Sequence, residues 1–221
     1  MKLDFSSVWQ YWPFLYHGAL TTLKITAMAA VLGFILGVLL SLIKISKCKP
    51  LVWFGNFYTS IFRGTPLLVQ LCIVHFGLPQ LTGMTLTTMQ SGVLTFSLNS
   101  AAYISEIFRG GINAIDRGQY EAAMSLGVGY RDMMKDIILP QAIKSVLPSL
   151  VNEFISLLKN TTLIASIGLV DILCVGQQIQ SRTYRAFEPF FAISVFYYVL
   201  VLGLSILGKA LEKKVNASDR G

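Results

Sequence analysis

The sequence predicts an all-α protein, a polytopic membrane bundle of about five transmembrane helices. Three observations carry this. Hydrophobic residues make up 54% of the 221 residues and charged residues only 13%, against roughly 25% charged in soluble domains. The apolar runs are long: Ile25 to Leu40 contains no ionisable residue, and a bilayer core needs about 20 mostly apolar residues. The net charge of +7 comes from basic residues at the ends of these runs. There they mark topology, not a surface for nucleic acid.

The first residues, with Trp9, Tyr11, Trp12, Phe14 and Tyr16, lack the apolar core of a cleaved signal peptide. Amphipathic rings favour the headgroup level, so this segment reads as interfacial and the first span as an uncleaved anchor. Span one runs from about Gly18 to Ile43. It carries Ala29, Gly33, Gly37 and Ser41 at four-residue spacing; this is either a face for close helix approach or ordinary tolerance of small residues. A basic loop (Lys44, Lys47, Lys49, Pro50) follows. Span two is expected in two parts, Leu51 to Phe62 and Thr65 to Leu78, because Gly64 and Pro66 interrupt it and proline removes a helix hydrogen bond. Span three covers about Met89 to Ile112, and span four runs from Pro140 to about Gly168. A loop bearing Asp171, Arg182, Arg185 and Glu188 leads to span five, about Pro189 to Leu207, and then to a basic tail.

Five spans put the termini on opposite sides. One side would hold Lys44, Lys47, Lys49, Arg109, Arg117, Arg131, Lys135, Lys209, Lys213, Lys214 and Arg220; the other would hold Lys2, Arg182 and Arg185. The positive-inside rule then puts the N-terminus outside and the C-terminus in the cytoplasm of a cell (inner or plasma) membrane. The chain reads as one transmembrane domain, 1–221, with 113–136 as a cytoplasmic loop between spans three and four.

That loop carries Glu121-Ala122-Ala123, then Gly127, then Ile137, Leu139 and Pro140. A carboxylate in the first turn of a short helix favours the positive end of its dipole. Two alanines make a helix surface small enough to sit in a groove. Gly127 can end the helix in the left-handed conformation, and Pro140 suits the start of the next one. The pattern, EAA, three residues, G, nine residues, I-x-L-P, resembles the EAA loop of ABC importer permeases at every fixed position. Arg63-Gly64-Thr65-Pro66-Leu67-Leu68-Val69-Gln70, Ala101 to Ile112, Gly118-Gln119 and Lys159 to Leu163 are similar to segments of the polar amino acid permeases in that superfamily. The resemblance spans most of the chain.

It implies a five-span bundle that works by alternating access, as a dimer with a second copy or a similar permease. It also implies an ABC ATPase subunit docked on the Glu121 loop, ATP and Mg²⁺ on that ATPase, and an extracellular or periplasmic binding protein that delivers the amino acid. The residues that would couple to the ATPase are Glu121, Ala122, Ala123, Gly127, Leu139 and Pro140.

For the solute, helical spacing puts Ser149, Glu153, Ser156 and Asn160 on one face of span four, and Asn99, Tyr103, Glu106 and Gly110 on one face of span three. Asn99 and Glu153 each fall about 15 Å into their spans, near the midplane, where transporters place their sites. An ionisable residue at that depth needs a partner. Glu153 would take the cationic group of a substrate, or else pair with Lys159, Lys144 or a neighbouring helix. The resemblance adds that permeases for basic amino acids have an acidic residue in span four. The candidate substrate set is Glu153, Asn99, Gln70, Tyr103, Ser156 and Asn160. Glu106 is expected to pair with Arg109, and Arg63 to be structural at the helix break.

No metal site is expected: His17 and His75 are isolated, and Cys48, Cys72 and Cys174 are scattered free thiols. Gly203 to Ala210 approaches a phosphate-binding loop but lacks its Ser/Thr and lies in an apolar helix with no preceding strand. The chain should therefore bind no cofactor and hydrolyse no ATP. An ABC permease for glutamine, glutamate or another small solute, or a channel or scaffold subunit outside that superfamily, are the other readings.

Overall fold

The computed structural model describes residues 3–217; Lys2 and Arg220, used in the charge count, lie outside them. Among the described residues the regular structure is all helical. In chain order the elements are α1 (Ser6–Gln10), α2 (Trp12–Ile45), α3 (Lys49–Gly64), α4 (Leu67–Cys72), a π turn (Ile73–Gly77), α5 (Leu78–Thr82), α6 (Thr88–Asn113), α7 (Arg117–Ser125), α8 (Tyr130–Asp132), a second π turn (Met133–Ile138), α9 (Leu139–Asn160), a 3₁₀ segment (Thr161–Ile167), α10 (Ile172–Thr183) and α11 (Phe187–Ala217).

Helix α2 runs parallel to α6 and packs one face along it. The four-residue stripe decides the spacing: Ala29, Gly33, Gly37 and Ser41 are all buried. A Cβ on Gly37 would stand 2.7 Å from the Cβ of Ile104 on α6, so only glycine permits this approach. The stripe is therefore a packing face. Helix α9 lies antiparallel against the other side of α6, with Ser100 meeting Glu153. Ile25, Leu71, Phe96, Leu157 and Ile164 from the surrounding elements form the main core.

Helix α6 begins at a reciprocal cap. Thr87 Oγ1 accepts from the Gln90 amide at 3.2 Å, and Gln90 Oε1 accepts from the Thr87 amide at 2.9 Å, which satisfies two orphan donors at once. Among the described residues, only α2 and residues 187–215 of α11 are, by themselves, long and apolar enough to cross a membrane; 33% and 6% of their apolar windows are buried within the chain. So little cover on α11 leaves most of its surface for lipid or another chain.

The interrupted second span is seen as a sharp break. Lys49–Gly64 and Leu67–Thr82 meet at 105°. Thr65 and Pro66 are both extended there, because the proline ring disfavours helical geometry in the residue before it. The Asp171 to Glu188 region corrects the sequence expectation. It is not a loop but largely α10, capped by Asp171, whose Oδ1 accepts from the Cys174 amide at 2.8 Å. Its apolar face joins the N-terminal segment in a second core of Val8, Leu15, Ala19, Ile172, Val175, Ile179 and Ile193. The polar residues that suggested a loop are mostly those that cap and flank a short amphipathic helix.

Candidate functional site

The break between α3 and α4 leaves a small polar cavity of about 190 Å³ against α6 and α9. It is lined by Thr65, Leu67, Asn99, Tyr103, Glu153, Ser156 and Asn160. Helical spacing on α6 presents Asn99 and Tyr103, and spacing on α9 presents Glu153, Ser156 and Asn160. Five of the six residues selected from the sequence therefore meet in one place.

Glu153 Oε1 accepts a hydrogen bond from Ser100 Oγ at 2.8 Å, and no ion pair joins it to a described residue. The cavity wall thus carries one carboxylate, no cation, and a set of hydroxyl and amide groups that both donate and accept. Such a wall suits a small solute with a positive group and further polar atoms.

Gln70 is placed differently. It is buried beside the break and does not line the cavity. Its Nε2 donates to the carbonyls of Phe62 (2.9 Å) and Thr65 (3.1 Å) and to Thr65 Oγ1 (2.8 Å), and its Oε1 accepts from Asn99 Nδ2 at 3.0 Å. Asn99 Nδ2 also reaches the Phe62 carbonyl at 3.0 Å. The two amides hold the carbonyls that the break releases from helix hydrogen bonding, so the wall is fixed from behind. Thr65, Leu67 and Ser100 were missed from sequence. The proline break was the available signal for Thr65 and Leu67; nothing separated Ser100 from the other serines of α6.

A second polar group lies where α2, α3 and α6 meet. Glu106 is paired with Lys44, with Arg109 Nη2 at 2.7 Å and with Arg63 Nη1 at 3.5 Å. Lys44 Nζ also donates to Thr59 Oγ1 at 3.0 Å. The expected Glu106–Arg109 pair is present; the Lys44 partner, 62 residues away, carried no sequence signal. Arg63 also sits over the Tyr103 ring, 5.4 Å from its centroid.

The Glu121 loop folds as α7. Asp116 caps it, its Oδ1 accepting from the Gly118 amide at 2.6 Å. The helix therefore starts at Arg117, and Glu121 falls in its second turn, not in the first as expected. Gly127 has φ +73; its amide donates to the Met124 carbonyl at 3.0 Å, and the Val128 amide to the Ala123 carbonyl at 3.0 Å, the paired closure of a left-handed helix end. Ala123 corrects a second expectation. It is buried against Met133 and Ile138, so it seats α7 on the bundle and is not presented outward, whereas Glu121 and Ala122 are exposed. Met124, Leu126 and Tyr130 are exposed beside them. Burial, with Tyr130 nearby, pushes the Tyr120 phenol above its ordinary range, so it stays neutral. Pro140 lies in the first turn of α9, as expected, next to Leu139 at the helix start.

Residues 29–217 match the family described as binding-protein-dependent transport system inner membrane components. The chain belongs to this family. It is a multi-pass membrane transport component. It is 51% identical over 219 residues to the arginine transport system permease protein ArtQ of Bacillus subtilis, covering 99% of this chain and 100% of that one. It is 46% identical over 202 residues to a putative glutamine transport system permease protein GlnP of Rickettsia felis, covering 91% and 93%. A solved structure, described as an amino acid ABC transporter with histidines, superposes with a TM-score of 0.91 at 42% identity, covering 97% of this chain and 100% of that chain. A methionine ABC transporter, at 20% identity and a TM-score of 0.77, shares the fold.

Proposed function

We propose that this chain is the membrane-spanning permease of an ATP-driven importer that carries polar, above all basic, amino acids into the cytoplasm, and that Glu153 receives their positive group. The observation that carries this is a carboxylate without a cation, Glu153, in a cavity otherwise lined by hydroxyls and amides. At membrane depth such a charge calls for a mobile partner. The arginine permease relative, similar over its whole length, supports the same class of solute.

In this reading the α-helices form five spans: α2; α3 with α4 and α5; α6; α9; and α11. The Lys and Arg excess puts the C-terminus and α7 in the cytoplasm. An ABC ATPase, which binds ATP and Mg²⁺, docks on Glu121, Ala122 and the exposed side chains after them. Gly127, Leu139 and Pro140 transmit its motion to α9. A second permease covers the bare face of α11 or its neighbours, and a binding protein outside delivers the solute. The chain itself holds no cofactor and hydrolyses no ATP.

Uptake of radiolabelled arginine by proteoliposomes holding the full complex tests the Glu153 assignment. Glu153→Gln should lower it by about tenfold or more, the scale of one charge-assisted contact; unchanged uptake would sink the assignment. A glutamine carrier is the second reading. Asn99, Ser156 and Asn160 favour it, since they match the amide chemistry of a glutamine side chain. Glutamine uptake insensitive to Glu153→Gln is its signature.

A further inference from the structure

The cavity leaves one end of an amino acid unanswered. It offers a carboxylate and neutral groups, but no lining residue is a cation, so a substrate's α-carboxylate has no charged partner there. The cations lie one step away. Where α2, α3 and α6 meet, an open crevice of about 520 Å³ is lined by Lys44, Asn56, Ser60, Arg63, Glu106 and Arg109, among others. Three cations face one carboxylate, so the crevice keeps a surplus of two positive charges.

The cations are not equally committed. Lys44 is spent: its side chain is 2% exposed and held by Glu106 and Thr59. Arg109 makes the close contact with Glu106. Arg63 is 45% exposed and reaches Glu106 only at 3.5 Å, which leaves most of its five donors unused. The two chambers also adjoin through it. Arg63 and Gly64 line the crevice, Thr65 lines the cavity, and the Arg63 guanidinium lies over Tyr103, a residue of the cavity wall.

We infer that Arg63 forms a second, exit-side subsite that binds the α-carboxylate of the departing amino acid, the crevice drawing that end across the helix break while the cationic group is still at Glu153. The inference rests on the amino acid reading above. A guanidinium fork suits a carboxylate bidentately, which a lysine or an amide does not match. The surplus charge keeps the subsite open, because Glu106 alone cannot neutralise all three cations.

The test uses the purified complex with its ATPase partner in phosphatidylcholine nanodiscs. Its thermal stabilisation is measured against two probes, L-arginine and L-arginine methyl ester. Both carry the cationic side chain; only the first has a free carboxylate. Wild type should bind arginine about tenfold more tightly than the ester, the scale of one charge-assisted pair. Arg63→Gln should bring that ratio to about one without changing the affinity for the ester. Ser60→Asp, which adds a competing carboxylate to the crevice wall without removing any charged side chain, should lower the ratio in the same way and serves if Arg63→Gln does not assemble. A ratio near one in wild type, or a tenfold ratio that survives in the variants, overturns the inference.

Glu153→Gln separates the two readings. Equal weakening of both probes with the ratio intact supports Glu153 and Arg63 together; no weakening removes Glu153 while the ratio still judges Arg63. Failure of wild type to bind either probe removes both. If Arg63→Gln acts only by abolishing stabilisation by added phosphatidylglycerol, the crevice is a lipid headgroup site and the inference is wrong.

Discussion

At the scale of single residues, the buried charges set the sharpest expectations. Glu106 neutralises Lys44, which has almost no exposure. Glu106→Gln would strand that ammonium and should cost about 3–5 kcal/mol, as for other broken buried pairs. Arg109→Gln removes a half-exposed partner and should cost about 1 kcal/mol or less. Thermal unfolding of the two variants in one detergent checks the order: a larger loss for Arg109→Gln would mean Lys44 finds another counter-charge. Gln70→Ala removes two N–H donors shared among three acceptors at the break, and the acceptor for Asn99, and should cost about 2–3 kcal/mol, with weaker binding at the cavity it supports. These residues also show the reach of sequence reasoning. Spacing along one helix selected Glu153, Ser156 and Asn160, because a helix fixes which of its own residues share a face. It cannot say which neighbour that face meets. Gln70 therefore looked like a pathway residue, although its amide is consumed by the carbonyls of Phe62 and Thr65. The Lys44–Glu106 pair was invisible for the same reason.

At the scale of elements, helix ends were the most legible feature. Gly127 was expected in a left-handed cap, and φ is +73 there. A Cβ at that site would meet nothing within 4 Å, so any cost of substitution is conformational. Gly127→Ala should cost roughly 1–2 kcal/mol of local stability, whereas Gly127→Asn should stay near wild type, since asparagine visits that region. Hydrogen exchange over residues 117–128 measures the difference; equal protection in both variants would show that the cap does not limit α7. Glu121 and Ala123 were placed less well. Their motif names residue types, but the Asp116 cap set the register of α7, and that register turned Ala123 into the bundle. Helix α10 was hidden because it is short and flanked by charges, so hydropathy averaged it away.

At the scale of the whole molecule, the N-terminal segment is tied to the far end of the chain. The Asp4 amide donates to Glu188 Oε1 at 3.1 Å, and Arg185 lies 3.9 Å from Asp4 Oδ2. The Ser6 hydroxyl and amide, with Arg185 adding, hold the Asp4 carboxyl below its ordinary value of 3.8. Its folded value is depressed, so its contribution to docking is complete above 3.8 and is lost as pH falls through the lower folded value. Hydrogen exchange of residues 5–10 should stay slow on acidification to pH 4 and rise below it, and Asp4→Asn should remove that dependence on pH. Retention of the same acid step in Asp4→Asn would assign it to another carboxylate.

The 105° break has a mechanical consequence. A continuous helix passes a push at one end to the other as a rod does. Here the Pro66 nitrogen has no hydrogen to donate back to α3, its carbonyl accepts only from Gln70 of the next helix, and the corner is pinned sideways to α6 through Asn99 and Gln70. Helix α3 and the Leu67–Thr82 arm are therefore two levers on one fulcrum. Either can swing while the other keeps its seal, and the fulcrum stands beside the cavity wall.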